Sequence, residues 1–363
     1  MQSELFCNNK IIFVAHERLP HVRKQFSDLT MKLVSNCIRY SMHGDPRKVL
    51  TLNTIAIDAD IKPNEILVKW LASPINPLDI NKIEGKYPLR PDYPATGGSE
   101  AVGDHVISNS IYNSVWTQYD VLSEDAVLKV RSDLDVASAS TLLINPPTAY
   151  IMLTEYVKLS PGDFVVQNSA NSAVGRCVIQ IASALGLKTI NIVRDRPDID
   201  ALKKGLMSLG GDYVFTEEEF TKNNTKFIKT LPAPPRLALN GVGGRSAMVL
   251  CASLGHGGTV VTYGAMSKKP IEILSSSFIF KDLRAFGVAV GPWMQMHPEK
   301  AGHIMTVLQD MLVKGQLSPP PMEQVPMAQF ATAMEKTLAG RNKKQLVLFH
   351  DDVSKEQCYK SKL

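Results

Sequence analysis

Apolar and polar positions alternate in short runs over residues 38–43, 50–57, 65–71, 104–107, 115–121 and 126–130. Period-two alternation punctuated by proline and glycine predicts strands, so 38–130 reads as an all-β module. A helical pattern follows over 137–157. Asn145-Pro146-Pro147 interrupts it, and proline there must bend or break the helix.

From Asp163 the grammar changes. An apolar run at 164–167 precedes a helical pattern at 176–185, and a run at 189–193 precedes one near 199–209. Further apolar runs at 213–215, 237–239 and 259–263 are separated by helical stretches, with a strand near 284–290 at the sheet edge. Strand alternating with helix predicts a doubly wound parallel sheet, an α/β fold. A helix at 299–314 and a last strand at 345–349 complete the reading.

Composition changes this picture little. At 363 residues, 44% hydrophobic and 21% charged, the chain is long enough for two globular domains. No apolar run has the length of a membrane span. The net charge of +5 is mild and scattered, which argues against nucleic acid as a partner. The cysteines (Cys7, Cys37, Cys177, Cys251, Cys358) form no Cys-x-x-Cys pair, so no zinc lobe and no metal site is encoded. Residues 1–37 carry more bases than acids and read either as a presequence or as an unstructured N-terminus. The chain stops at Ser361-Lys362-Leu363, a peroxisomal address.

Candidate chemistry sits where strand meets helix. At 168–176 the chain reads N-S-A-N-S-A-V-G-R, in the place of a dinucleotide-binding turn. On that register Ala170, Ser172 and Gly175 occupy the three glycine positions; the packing glycine is kept and the other two are small. The amides of Ser172 to Gly175 would face an anion from a helix start. An ordinary strand-to-helix turn is the competing reading. Downstream, Asp195 has the spacing of a ribose-binding acid, but it lies between Arg194 and Arg196, which suit a 2′-phosphate and favour NADPH over NADH. The turns at 240–244 and 262–266 each follow a strand and would line the cofactor crevice. In the β module, Tyr87 lies on a loop after Asn76-Pro77-Leu78-Asp79; it reads as a surface contact or as a donor to a substrate oxygen.

Asn76-Pro77-Leu78-Asp79, Gly97-Gly98-Ser99-Glu100, the 168–175 loop and Arg194-Asp195-Arg196-Pro197-Asp198 together resemble the medium-chain dehydrogenase/reductase superfamily. Within it the chain is most similar to the mitochondrial trans-2-enoyl-thioester reductases, over residues 38–349. The resemblance implies a GroES-like β-barrel catalytic domain at 38–148, a Rossmann NADP-binding domain at 149–290, a return to the catalytic domain at 291–349 and a tail at 350–363. It implies a zinc-free enzyme, with Asn76 and Ser99 where zinc-dependent relatives carry Cys and His. It also implies a homodimer joined through edge strands, with a mitochondrial address set against the peroxisomal tail.

The implied reaction is NADPH-dependent reduction of an enoyl thioester of CoA or acyl carrier protein, with Tyr87 as catalytic donor. The implied cofactor contacts are Asn145, Asn171, Ser172, Ala173, Val174, Arg194, Asp195, Arg196, Tyr263, Gly264, Ala265, Met266, Val288, Ala289, Val290 and Lys344. The chain departs from the family pattern in four places. Roughly two strands are missing between Val102 and Gly103, Ala173 replaces a glycine, Ala289 stands where an aromatic is common, and the tail is extra. A quinone or alkenal reductase, or a non-catalytic NADPH-binding paralogue, are the alternatives.

Overall fold

The computed structural model describes residues 32–58, 61–103, 105–340 and 343–350. The presequence reading and the Ser361-Lys362-Leu363 address lie outside these. The chain divides into two compact units, one formed by the residues up to Leu143 and from Pro321 on, the other by Ile144–Pro320.

The first unit is built on strands. Lys32–Tyr40 pairs antiparallel with Thr51–Asp58, from Lys32↔Asp58 to Arg39↔Thr51, and at its other edge with Ala95–Thr96. The sheet therefore begins at Lys32, inside the stretch that reads as N-terminal leader. A second sheet runs in the order Met322–Pro326, Lys344–Leu348, Glu65–Pro74, Val102–Gly103, Val106–Ser108, Val127–Lys129, and Tyr119–Ser123 pairs with the first half of Glu65–Pro74. Alternation along Glu65–Pro74 turns Val68, Trp70 and Ala72 inward, onto a core of Ile38, Tyr40, Trp116, Val347 and Phe349.

Among the described residues no pairing joins Val127–Lys129 to Met322–Pro326, so the expected barrel is an open sheet. The reason lies at Val102–Gly103. This two-residue strand pairs with Val106–Ser108 only at Val102↔Ile107, and a barrel needs strands long enough to tilt around its axis.

The second unit carries six parallel strands: β1 (Phe164–Gln167), β2 (Lys188–Val193), β3 (Tyr213–Thr216), β4 (Leu237–Asn240), β5 (Thr259–Thr262) and β6 (Arg284–Gly287). Their order in the sheet is 3-2-1-4-5-6, the doubly wound order whose crevice lies at the carboxyl ends of β1 and β4. β1 and β4 are buried at every position, as strands covered on both faces must be.

Two expectations shift. The helical stretch at 137–157 splits into Val136–Ser140 and Asn145–Thr154, and Pro146 and Pro147 open the second helix. First-turn residues have no intrahelical N–H bond to lose, so proline starts a helix as readily as it breaks one. The expected boundary at 290/291 falls inside the second unit. Helix Pro298–Val313 buries Ala301, Ile304, Met305, Leu308, Met311 and Leu312 and packs on Asn145–Thr154. Beyond it, the Ser318 N–H and hydroxyl donate to Gln180 Oε1 at 2.9 and 2.8 Å.

Candidate functional site

The loop after β1 leads into helix Ala173–Ala184. Ser169 adopts φ 53°, which turns the chain sharply, and the Ser172 hydroxyl caps the helix by accepting from Gly175 N at 3.1 Å. Gly175 is required by packing: a Cβ there would lie 2.6 Å from the carbonyl oxygen of Ala170. The amides of the first helical turn then have no intrahelical partners beyond the cap and present an anion-binding end. Asn171 is exposed, and Ser172, Ala173 and Val174 are half-buried along this end.

Asn168 is the residue that sequence reading passed over. Its side chain is buried, accepts from Gly241 N at 2.8 Å, and donates to Asn240 Oδ1 at 2.9 Å and Ser246 Oγ at 3.1 Å. Asn240 Oδ1 in turn accepts from the N–H groups of Val242 and Gly243. One amide thereby locks the phosphate loop to the turn after β4. Asparagine placed directly after a buried strand was the available signal.

The other implied contacts gather on the same end of the sheet. Tyr263 lies over Gly241, where any Cβ would meet its hydroxyl at 2.6 Å. That hydroxyl is sealed and has no hydrogen-bond partner; burial pushes its pKa up to about 12, against a smaller opposing pull from the nearby Ser172 side chain. Met266 N donates to Gly241 O, and Gly264 packs against the same turn, with Ala265 exposed beside it. Val288 N donates to Thr262 O, Ala289 stands at the N-cap position of helix Val290–Met296 without a side-chain cap, and Trp293 stacks on His297 at 4.5 Å. The Asn145 side-chain Nδ2 is buried and unbonded, an unmet donor at the start of its helix.

After β2, Arg194 is exposed and makes no hydrogen bond or ion pair among the described residues. Arg196 is engaged by Asp198, and its N–H donates to Asp195 at 2.9 Å. The free cation here is Arg194. A cavity of about 360 Å³ adjoins this strand, with Ile192, Val249, Glu217, Arg245 and Ser246 among its lining residues. These features fit a dinucleotide carrying an extra phosphate: amides at a helix start, an unpaired guanidinium and an unmet amide donor.

Tyr87 and Lys344 belong to the first unit. Tyr87 is half-buried on the loop after helix Pro77–Ile83; burial pushes its phenol up to about 12, with Tyr112 adding to the effect. A phenol keeps its proton at neutral pH in any setting, so the hydroxyl is available to donate. Lys344 donates to Asn76 Oδ1 at 2.5 Å, and Asn76 Nδ2 donates to Glu100 Oε1 at 2.7 Å. Ser99 donates to Asp79 Oδ1 at 2.6 Å, and Asp79 Oδ2 accepts from Asn76 N at 2.7 Å. Burial pushes Asp79 upward and Lys82 downward, each opposed by the other's charge. Among the described residues no three His, Cys, Asp or Glu converge on a point.

Residues 173–302 match the family described as zinc-binding dehydrogenase. The chain is 45% identical over 336 residues to the mitochondrial enoyl-[acyl-carrier-protein] reductase of Caenorhabditis elegans, covering 88% of this chain and 97% of that one. Among solved structures it is similar to the mitochondrial 2-enoyl thioester reductase Etr1p/Etr2p heterodimer of Candida tropicalis, at 29% identity and a TM-score of 0.81, covering 87% of this chain and all of that one. It is similar also to the Etr1p complex with NADP and crotonyl-CoA, at 28% identity, a TM-score of 0.81 and the same coverage. With near-complete coverage at 45% identity, the chain belongs to the mitochondrial enoyl-[acyl-carrier-protein] reductase family of the medium-chain dehydrogenase/reductase superfamily.

Proposed function

We propose that this protein reduces trans-2-enoyl thioesters of CoA or acyl carrier protein to the saturated acyl thioesters in the mitochondrion, with NADPH as reductant. The observation that carries the reading is the 45% identity over nearly the whole length of a mitochondrial enoyl-[acyl-carrier-protein] reductase, with the half-buried Tyr87 phenol as the hydroxyl donor the reaction needs. When bound, NADPH supplies the hydride that the β-carbon of the enoyl group requires. As that carbon is reduced, negative charge grows on the thioester oxygen, and a fixed hydroxyl donor there lowers the barrier.

The cofactor is held by the capped loop at Asn171, Ser172, Ala173 and Val174, by Arg194 with Asp195 and Arg196 at the 2′-phosphate, and by the Asn145 amide. The turns Tyr263, Gly264, Ala265, Met266 and Val288, Ala289, Val290 shape the nicotinamide end, and Lys344 completes the set. The cavity at Ile192 and Arg245 receives the adenine.

Two copies join through β6. All four of its residues are exposed, and Phe278, Ile279, Phe280 and Phe286 present an apolar face beside an unpaired ladder. An edge of this kind is satisfied by antiparallel pairing with a second copy.

The test is NADPH oxidation with crotonyl-CoA, set against a quinone and an alkenal. Turnover of crotonyl-CoA, with Tyr87→Phe losing about 100-fold or more in kcat, is expected. Activity confined to the quinone overturns the reading. So does NADPH binding without turnover and with Tyr87→Phe indistinguishable from wild type.

A further inference from the structure

Lys82 is a buried cation that the reaction does not use. Its residue is 8% exposed, on the last turn of helix Pro77–Ile83. Taking an ammonium out of water is costly unless charge and hydrogen bonds compensate. Here the compensation is specific. Nζ donates to the Ile111 carbonyl at 2.6 Å and to Ser99 Oγ at 3.0 Å, and Ser99 passes the interaction to the Asp79 carboxylate.

These contacts converge on the surroundings of Tyr87 from two sides. On one side, Gly85 N donates to the Lys82 carbonyl at 3.1 Å and Lys86 N to the Asn81 carbonyl at 2.8 Å, so the loop carrying Tyr87 is wound directly onto the helix end that Lys82 occupies. On the other side, the Lys82 ammonium grips the Ile111 carbonyl. Ile111 and Tyr112 lie in a turn outside every strand, closed by the Asn113 N–H to Ser110 carbonyl bond at 3.2 Å. Tyr112 is the residue whose side chain adds to the upward push on the Tyr87 phenol. The Lys82 side chain thus ties the Ile111–Tyr112 turn to the helix end onto which backbone bonds wind the Tyr87 loop.

We propose that Lys82 is a positioning residue for Tyr87: its buried ammonium fixes the Ile111–Tyr112 turn against the helix end that carries the Tyr87 loop, and so sets the direction of the phenol. An apolar residue of the same length fills the same space but leaves the Ile111 carbonyl without its donor and the turn free to shift. The inference rests on the donor role of Tyr87.

Lys82→Met with Asp79→Asn removes both charges together, so that neither is left buried alone. With NADPH and crotonyl-CoA, kcat is expected to fall on the order of 10- to 100-fold, the size of effect a displacement of about 1 Å produces, while the NADPH dissociation constant stays within about twofold. On a Tyr87→Phe background the same pair is expected to cost less than about twofold more, because residues that act through one another are not additive. Lys82→Gln with Asp79→Asn keeps a donor for the Ile111 carbonyl and is expected to recover kcat to within about threefold of wild type.

Wild-type kcat in the Met variant while Tyr87→Phe is impaired overturns the role of Lys82 alone. A full-sized loss on the Tyr87→Phe background, or a Gln variant as poor as the Met variant, does the same. Wild-type kcat in Tyr87→Phe overturns the donor role and this inference with it.

Discussion

The phosphate loop and the buried network of the first unit solve opposite electrostatic problems. Around 168–175 the chain leaves polar groups unmet: helix-start amides, the Asn145 Nδ2 donor, and the Arg194 guanidinium. Around Asn76, Asp79, Lys82, Ser99 and Glu100 the chain meets them, with every group named donating to or accepting from another at 2.6 to 3.0 Å. Unmet donors in a cleft are held ready for an anion, whereas unmet charges in a core would unfold it. The first region therefore responds to mutation through ligand affinity, the second through stability and the placement of its neighbours.

The comparison breaks most sharply at Asp79. Asp79→Asn leaves the Lys82 ammonium buried without its counter-charge and should cost about 3–5 kcal/mol in urea unfolding. Adding Lys82→Met should return most of that stability. An Asp79→Asn protein as stable as wild type would show that the network is wetter than its burial implies.

At the other pole, Arg194→Ala should leave folding unchanged. It should weaken NADPH binding by about 1.5–3 kcal/mol, a loss of one charge-assisted contact, and leave NADH binding nearly untouched. Titration calorimetry with the two nucleotides checks this, and equal losses for both would assign the 2′-phosphate elsewhere.

Asp120 sharpens the contrast from inside the first unit. Burial pushes its carboxyl up to about 6, against a smaller downward pull from the Val121 N–H. The folded state therefore holds this proton more tightly than the unfolded chain, whose value is 3.8. Wild type gains stability from this group as pH falls through 6 toward 4. Asp120→Asn should be about 1–2 kcal/mol more stable than wild type near pH 7.5 and no more stable near pH 4, measured by thermal unfolding across that range.

The smallest effect is expected at Ala173. It stands at the first position of its helix, with its side chain half-buried and the cap already made by Ser172. Ala173→Gly should change the NADPH dissociation constant by less than about twofold and cost a few tenths of a kcal/mol in stability. A large gain in affinity would mean that the methyl group crowds the pyrophosphate.

Local chemistry was readable where one segment carries its own reason. The β1 run, the small residues of 168–175 and Arg194-Asp195-Arg196 spell a phosphate-binding pattern on adjoining stretches of chain, and β1 to β5 fall within one residue of their expected bounds, while β6 ends three residues early. The strands of the first unit drifted further. The run expected at 115–121 is a strand only at Tyr119–Ser123, because Trp116 and Gln118 hydrogen-bond across to Gly97, Asn36 and Trp70 instead of holding one ladder. Met322–Pro326 and helix Phe330–Ala339 were not expected, although the helix is amphipathic.

By itself the sequence determined the alternation of strand and helix after Asp163, the position of the phosphate loop and the kind of nucleotide its arginines favour. Each depends on residues within a few positions of one another, where period, capping and charge spacing act. Tertiary structure alone decided that the shortened sheet stays open and that Pro298–Val313 packs with the nucleotide-binding unit. It also decided that Asn168 joins two turns 72 residues apart at Asn240 and that Lys82 reaches Ile111. Those outcomes depend on which distant backbone a buried polar side chain can reach once water is excluded. No local pattern records that distance.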